Sequence, residues 1–330
     1  MVDQLVTPPP WQAIGAVLAC DTQHRSCGTI SMNTLSDTQQ QAYRRDGFLL
    51  IPNAVPADLL QEMQETTRAL IDASRNVTEN NDVYDLDRGH RSNHPRLNRI
   101  KTPHQVADVY QKYLQSDALL NLLKPLLGNA IRLHNSKLNT KAAQGGAPVE
   151  WHQDWAFYPH TNDDLLAVGV MLSDIGEDDG PLQVIPRSHK LPAIPHMIDK
   201  VFCGAVDPNH PDVDLDAAVT LTGKAGDISI HHVRTLHGSA PNRGKDPRLL
   251  LLYELGAADA WPIAGAQNVY TGMNQQALWQ KFQDNLVCGS QPLTARLTEV
   301  PIMMPLPPPP DGSSIFKVQE SGKAKSAFAQ

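Results

Sequence analysis

Two side chains of different chemistry, His152 and Asp154, stand two residues apart in the stretch 151–155 (WHQDW), just after an extended segment. In a β-strand, residues i and i+2 point to the same face, so this imidazole and carboxylate can bind one ion together. A later histidine, His237, follows the predicted strand 227–232 and can complete the set from a neighbouring strand. Two histidines and one carboxylate that leave positions of the ion open suit non-haem Fe(II). The spacing therefore predicts a metal centre made of His152, Asp154 and His237.

The pattern H-x-D also occurs by chance, and it gains weight here from Arg248. This arginine lies eleven residues after His237, at the start of the apolar stretch 249–252. A buried arginine is costly unless it is paired with an anion. Its planar guanidinium suits bidentate capture of a carboxylate, and 2-oxoglutarate, the bidentate ligand of such iron enzymes, carries a distal carboxylate. The sequence thus predicts Fe(II) together with 2-oxoglutarate.

The elements that must position these residues form a β-rich region preceded by helices. Ser36 and Asp37 offer an N-cap for a polar helix that ends near Gly47, and Pro56 opens a second helix. A helical repeat covers 106–127, and the polar region between these helices predicts a long functional loop at 76–104. Short strand-like runs follow at 48–51, 131–140, 165–172, 182–185, 227–232 and 249–255. The expected fold class is mainly β with flanking helices.

Three segments make up the predicted domain organisation. Residues 1–31 read as a poorly ordered extension, and Met32 offers a second possible start. Residues 32–310 read as a single domain. The polar tail 311–330, which follows a proline-dense stretch, is expected to wrap the surface or fray.

Composition and charge exclude several classes of protein. The chain has 330 residues, of which 41% are hydrophobic, and this is enough to build a sizeable core. Its formal charge of -7 argues against general nucleic-acid binding, and no apolar run reaches the roughly 18 residues of a membrane span. Four scattered cysteines fit a reducing cytoplasm. The short apolar run 13–20 lacks the basic segment that would precede it in an export signal.

Several motifs together make the chain resemble the phytanoyl-CoA dioxygenase family of Fe(II)- and 2-oxoglutarate-dependent oxygenases. The resemblance covers roughly residues 46–253. Its motifs are DGFLLIP at 46–52, HQD at 152–154, GPLQVIPRSHK at 180–190, GD at 226–227 and HGS at 237–239. It implies a double-stranded β-helix, a cupin-like jelly-roll barrel with the iron near one mouth.

The resemblance also implies roles for particular residues. It makes His152, Asp154 and His237 the catalytic iron ligands. It makes Arg248 the partner of the distal carboxylate of 2-oxoglutarate, with Ser239 assisting. Further cosubstrate contacts are implied at Arg99 or Lys101 and at Ser136. The stretch 166–171 lacks the aromatic residue that some members have there, so the cosubstrate wall is expected to differ.

The implied reaction consumes O2 and 2-oxoglutarate and releases succinate and CO2. Halogenating relatives have a small residue in place of the carboxylate ligand, so Asp154 favours hydroxylation or a related oxidation. The protein's own task is then to place the reactants and to exclude water.

Two groups of residues are candidates for substrate binding. Trp155, Phe157 and Tyr158 follow the metal motif and can wall a pocket, or can simply pack as aromatic side chains. The segment 88–104 contains no acidic residue but carries five cations and three histidines. This local sign reversal predicts an anionic ligand, and a solvated loop balanced by carboxylates elsewhere is an equal alternative. The cations assigned to the substrate are Arg88, Arg91 and Arg96.

Three other histidines are not expected to bind metal. His231 and His232 lie on the strand before His237, where packing or hydrogen bonding is the usual role. His189 belongs to the motif at 180–190 and is expected to be structural.

The favoured function is an Fe(II)- and 2-oxoglutarate-dependent dioxygenase that hydroxylates, or otherwise oxidises, a small organic, anionic or secondary-metabolite substrate. Two alternatives remain open: a non-catalytic metal-binding or sensing jelly-roll protein, and a zinc hydrolase that uses the same ligands. Neither nucleic acid nor membrane is an expected partner. The sequence leaves the substrate, the position of oxidation and the oligomeric state undecided.

Overall fold

The computed structural model describes residues 34–263 and 272–328. These residues belong to one compact unit. The predicted disordered extension 1–31 lies outside the described residues.

Seven α-helices are described, and most of them come before the main strands. They are α1 (Asp37–Asp46), α2 (Ala57–Ala73), α3 (Pro103–Val106), α4 (Asp108–Leu114), α5 (Asp117–Leu127), α6 (Gln275–Asp284) and α7 (Ile315–Ser321).

Fourteen strands are described. They are β1 (Phe48–Ile51), β2 (Tyr84–Leu86), β3 (Leu97–Lys101), β4 (Ile131–Lys141), β5 (Val149–His152), β6 (Leu165–Met171), β7 (Leu182–Val184), β8 (Met197–Ile198), β9 (Val201–Phe202), β10 (Val219–Leu221), β11 (Ile228–His232), β12 (His237–Ser239), β13 (Arg248–Ala257) and β14 (Leu286–Cys288).

The first helix begins and ends where its capping residues require. Ser36 and Gln39 form a capping box at the start of α1, as the sequence predicts for a serine in that place. Gly47 ends the helix with a φ of 84°, a left-handed conformation that glycine adopts without steric cost. This turn leads the chain directly into β1, so the predicted helix and strand are both confirmed.

Two antiparallel sheets carry the rest of the fold. The larger has eight strands in the order β1-β11-β6-β13-β4-β3-β2, with β14 added beside β4. The smaller has four strands in the order β10-β7-β12-β5. This is the expected jelly-roll architecture with flanking helices. One expectation was incomplete: the segment 76–104 is not only a loop, because β2 and β3 within it extend the edge of the larger sheet.

Side chains alternate along each strand, so the two faces of the larger sheet have different surroundings. One face packs in the main hydrophobic core, and the other carries the polar residues of the strands. On β13, Leu251 and Tyr253 join the main hydrophobic core with the helices. Residues at the alternate positions of the strand point to the opposite face, among them Arg248, Leu250 and Glu254. The cross-strand neighbours on β4 follow the same alternation, and we call this second face the interior face. The interior face is where the candidate site lies.

The C-terminal segment is part of the fold rather than a frayed tail. Gln319 on α7 donates a hydrogen bond from Nε2 to the backbone oxygen of Glu150 on β5. The buried Glu150 carboxylate accepts hydrogen bonds from Ser326 and from the amide of Ala327. Residues 315–327 therefore cover the strand that carries the metal motif.

Within the described ranges, no helix has both the length and the apolar character that crossing a bilayer requires.

Candidate metal centre and cosubstrate pocket

The two predicted histidine ligands are direct cross-strand neighbours. Strands β5 and β12 pair antiparallel, and His152 and His237 are partners in that register. Residues directly opposite each other in such a pair project to the same face. Their ring centroids are accordingly 4.1 Å apart, and both residues are buried.

Asp154 joins them from a turn rather than from the strand itself. Strand β5 ends at His152, and a single 3-10 turn spans Asp154–Ala156. The prediction of a shared strand was therefore too long by two residues. The expected geometry survives because Gln153 keeps an extended backbone, which preserves the alternation that brings positions 152 and 154 to one side.

The three donor groups converge on one small volume. One ligand atom from each of His152, Asp154 and His237 lies within 4.8 Å of the other two. The Asp154 Oδ1 atom is 3.6 Å from His152 Nε2 and 3.9 Å from His237 Nε2. A two-histidine, one-carboxylate face of this kind leaves the other side of a metal ion open to further ligands.

Hydrogen bonds to backbone oxygens fix the orientation of both histidine rings. His152 Nδ1 lies 2.8 Å from the backbone oxygen of Glu150, and His237 Nδ1 lies 2.9 Å from that of Thr235. A carbonyl accepts only from a protonated nitrogen, so Nδ1 carries the proton and Nε2 presents its lone pair. This is the arrangement that orients histidine ligands of metals.

The protonation states also suit a metal ion. Burial alone would raise the pKa of Asp154, but the neighbouring His237, His152 and His231 hold the pKa well below its usual range. Burial, with some help from His152 and His231, lowers the pKa of His237 well below that of a free imidazole. The site therefore offers a carboxylate and a neutral imidazole at neutral pH, as metal binding requires.

Arg248 is buried on the interior face with an unsatisfied donor. It opens β13, is 2% exposed, and its Nε has no hydrogen-bond partner among the described residues. Burial lowers the pKa of Arg248 to about 10, so the side chain remains a cation at neutral pH. A buried, partly unpaired guanidinium is what the distal carboxylate of 2-oxoglutarate would satisfy.

A second buried basic residue, Lys141, lies beside Arg248 and was not among the residues predicted from the sequence. The two residues are cross-strand partners on β4 and β13. Lys141 Nζ donates to the hydroxyl of Ser239 at 2.7 Å and to the Ser239 backbone oxygen at 3.0 Å. Burial and the charge of Arg248 together lower the pKa of Lys141 well below its usual value. Arg248, Lys141 and Ser239 thus lie together on the interior face, where the charge of an incoming carboxylate would favour the protonated form of Lys141.

The other predicted cosubstrate contacts have partners within the protein, and Arg99 and Lys101 lie opposite Asn139 and Lys137 on β4. Arg99 forms an ion pair with Asp85 at 3.1 Å, and Lys101 Nζ donates to the backbone oxygen of Asn81. The predicted contact between Ser136 and the cosubstrate was wrong. It faces the helices, because it alternates with the interior residues of β4, and its hydroxyl lies 2.6 Å from His104 Nδ1. Ser136 therefore lies on the face of the sheet opposite to Arg248.

The three aromatic residues predicted to line the substrate pocket do not all face the metal centre. Trp155 turns away, and its Nε1 donates to the backbone oxygen of Pro301. Phe157 packs edge-on against His152 with centroids 5.9 Å apart, and Tyr158 stacks on His134 at 4.2 Å. Burial, and then the charges of Asp154 and Glu254, raise the pKa of Tyr158 well above its usual value. Of the three aromatic residues, Phe157 and Tyr158 border the metal centre.

The basic segment is balanced by acidic partners outside it. Arg88 pairs with Glu320, and Arg96 pairs with Asp87 at 2.8 Å. Arg91 forms a backbone bridge with His94. These contacts agree with the alternative of a balanced surface loop and do not bring Arg88, Arg91 or Arg96 to the metal centre.

Sequence reasoning missed one ion pair and set aside one histidine. Lys137 and Glu254 form a buried pair at 2.7 Å on the interior face. The pKa values of Lys137 and Asp154 each respond to the other's charge, so this pair adjoins the metal centre. His231 lies there too, with Nε2 3.8 Å from Asp154 Oδ2. The polar residues at every second position of 135–141 carried the signal for this face.

Comparison with known proteins agrees with this geometry. The model of the family "Phytanoyl-CoA dioxygenase (PhyH)" matches residues 43–250. A probable alpha-ketoglutarate-dependent hypophosphite dioxygenase of Stutzerimonas stutzeri is 35% identical over 86% of this chain and 96% of its own length. The ectoine dioxygenase of Bordetella bronchiseptica is 28% identical over 66% of this chain and 73% of its own.

Solved structures show the same fold. EctD from S. alaskensis with bound Fe superimposes with a TM-score of 0.60, covering 84% of this chain and 92% of that one at 20% identity. Four observations support the same family: the match in sequence, the jelly roll, the His-Asp-His cluster and the buried arginine. The chain belongs to the phytanoyl-CoA dioxygenase family and is an Fe(II)- and 2-oxoglutarate-dependent dioxygenase.

Proposed function

We propose that this dioxygenase oxidises a small phosphorus oxyanion, and that hypophosphite is its substrate. The observation that carries this proposal is the 35% identity to the hypophosphite dioxygenase, which extends over 96% of that protein and so includes the whole catalytic domain. The relatives that act on ectoine or proline match a smaller share of this chain, at lower identity.

In this proposal, His152, Asp154 and His237 hold Fe(II), and Arg248, Lys141 and Ser239 hold the distal carboxylate of 2-oxoglutarate. Bound iron with its cosubstrate supplies an oxidant that can insert oxygen into a P–H bond. The chain's own residues orient the reactants, keep Asp154 ionised and exclude water from a buried site.

The overall reaction balances with the reactants named. One P–H bond of hypophosphite becomes P–OH, which gives phosphite, and 2-oxoglutarate loses CO2 to become succinate. One oxygen atom of O2 enters each product, and the two-electron oxidation of phosphorus accompanies the oxidative decarboxylation. Phosphite and succinate should therefore form in equal amounts.

The two alternatives raised by the sequence explain less of the site. A zinc hydrolase needs His152, Asp154 and His237 but gives the buried guanidinium of Arg248 no anion to bind. A sensing protein would keep the pocket without turnover, and turnover is directly measurable.

The test is an aerobic assay of the enzyme with Fe(II), ascorbate and 2-oxoglutarate. Hypophosphite should stimulate succinate release, and phosphorus NMR should detect phosphite in a one-to-one ratio with succinate. Ectoine and L-proline serve as alternative substrates. Succinate release that hypophosphite leaves unchanged, with either of the other compounds stimulating it, would overturn the proposed substrate.

We also infer a cytoplasmic enzyme that acts without nucleic-acid or membrane partners. The free thiols of Cys203 and Cys288 and the formal charge of -7 support this inference. Fractionation of cells that make the protein tests the location, because an exported protein would be recovered outside the cytoplasmic fraction.

A further inference from the structure

His231 faces the metal centre from the larger sheet. Along β11, Ile228 and Ile230 point into the main hydrophobic core. Ser229 and His231 therefore point to the interior face. The ring of His231 lies 4.3 Å from that of His237, and the residue is 2% exposed.

His231 differs from other buried histidines in its hydrogen bonding. Four of them hold Nδ1 against the backbone oxygen two residues earlier, which fixes both the ring and its proton. These four are His152, His160, His196 and His237. In His231, neither Nδ1 nor Nε2 has a hydrogen-bond partner among the described residues. An unsatisfied buried donor costs about 1–3 kcal/mol, so this ring is suited to a polar partner that arrives from outside.

The position of Nε2 indicates where that partner would bind. Asp154 Oδ1 faces the two histidine ligands, whereas Asp154 Oδ2 faces His231 at 3.8 Å. This distance is too long for a hydrogen bond, so the carboxylate does not satisfy the ring. The Nε2 atom therefore borders the metal centre next to Asp154 Oδ2, while the ring of His231 lies beside that of His237.

The cross-strand neighbours of the ring differ in size. The cross-strand neighbour of His231 on β6 is Ala167, whose side chain is a single methyl group, and the neighbour on β1 is Phe48. Nearby, Lys137 keeps its charge: burial opposes this, but Glu254 and Asp154 raise its pKa overall. A small ligand that enters here meets an N–H donor and the edge of a buried ion pair.

We propose that His231 is a substrate-binding residue, whose Nε2–H donates to an oxygen atom of a small oxyanion held beside the iron. This inference rests on the proposed function and assigns the substrate-facing donor within that site. The hydrogen bond would orient a P–H bond toward the metal, while Arg248 and Lys141 serve 2-oxoglutarate alone.

The test compares three variants of the enzyme loaded with Fe(II). His231→Leu removes both ring nitrogens at similar volume. His231→Gln keeps an amide donor that can reach the position of Nε2. His232→Gln is the matched control, because His232 is the adjacent residue and its ring lies at a tilt beside the rings of Tyr43 and His189, on the opposite side of the strand.

Steady-state kinetics with hypophosphite should separate the variants. We expect His231→Leu to raise the KM for hypophosphite about 10-fold or more, which corresponds to about 1.4 kcal/mol. The KM for 2-oxoglutarate should stay within about twofold. His231→Gln should recover most of the loss, and His232→Gln should change neither KM. An unchanged hypophosphite KM in His231→Leu, or equal increases in both KM values, would overturn the proposal.

An anaerobic binding measurement separates this inference from the proposed function. Hypophosphite and phosphite are titrated into the complex with Fe(II) and 2-oxoglutarate, and its visible charge-transfer band is followed. If the unmodified enzyme binds these anions without turnover, the proposed reaction is wrong, and weaker binding by His231→Leu still supports the role of His231. If neither anion binds, the role of His231 is overturned together with the substrate.

Discussion

Replacing Arg248 with methionine should weaken 2-oxoglutarate binding without removing iron. The arginine is 2% exposed, and its Nε is an unpaired donor on the interior face. A buried guanidinium can make two charge-assisted hydrogen bonds to a carboxylate, each worth about 1.5–3 kcal/mol. Lys141 Nζ, which donates to the Ser239 hydroxyl at 2.7 Å, remains in the variant and can compensate in part. We therefore expect a net loss of about 3 kcal/mol, or about 100-fold in the KM for 2-oxoglutarate.

The assay is succinate formation as a function of 2-oxoglutarate concentration, with Fe(II) saturating. Lys112→Gln is the control, since Lys112 is an exposed cation whose Nζ pairs with Glu62 at 3.3 Å. A 2-oxoglutarate KM that changes less than about threefold in Arg248→Met, or as much in Lys112→Gln, would refute the assignment of the pocket. An equal loss of iron affinity would show general damage to the fold instead.

Three further predictions concern stability. Lys137→Met leaves the buried Glu254 without its partner at 2.7 Å, so the free energy of unfolding should fall by about 3 kcal/mol. The double variant Lys137→Met/Glu254→Met should lose less stability. Equal losses for the two variants in urea titrations would contradict this. Burial lowers the pKa of His160 to about 3, so the unfolded chain binds more protons between about pH 3 and 6.5, and the metal-free protein should lose stability as pH falls through that window. His160→Gln should make that loss less steep, and an unchanged slope would be contrary evidence. Deleting residues 312–330 removes the hydrogen-bond partners of the Glu150 carboxylate. The deletion should lower Tm by at least about 5 °C, measured by calorimetry. An unaltered Tm would mean that this segment does not stabilise β5.

The local elements were predictable because their signals are local. Ser36 and Gly47 mark the ends of α1 through capping chemistry, and the buried strand β6 reads directly as an apolar run. The spacing of His152 and Asp154 also predicted a shared face correctly, although the strand ends earlier than expected. In each case, the residues that decide the outcome are neighbours in the chain.

The contacts that join distant strands were not predictable from spacing alone. Lys141 approaches Ser239 across 98 residues of sequence, and only the pairing of the strands reveals it as a second basic residue beside Arg248. Ser136 was misplaced because a shift of one residue along a strand moves a side chain to the opposite face. His231 was assigned to packing because the sequence does not show which nitrogens lack partners.

The central claim is that His152, Asp154 and His237 hold an iron to which 2-oxoglutarate binds. The most direct test is an anaerobic titration of Fe(II) into the protein with 2-oxoglutarate, followed by the visible charge-transfer band of the chelated cosubstrate. We expect a band that saturates at one Fe(II) per chain, is lost in His152→Ala, and persists in the matched variant His232→Gln. A band that survives in His152→Ala, or iron that binds to the unmodified protein without any band, would contradict it.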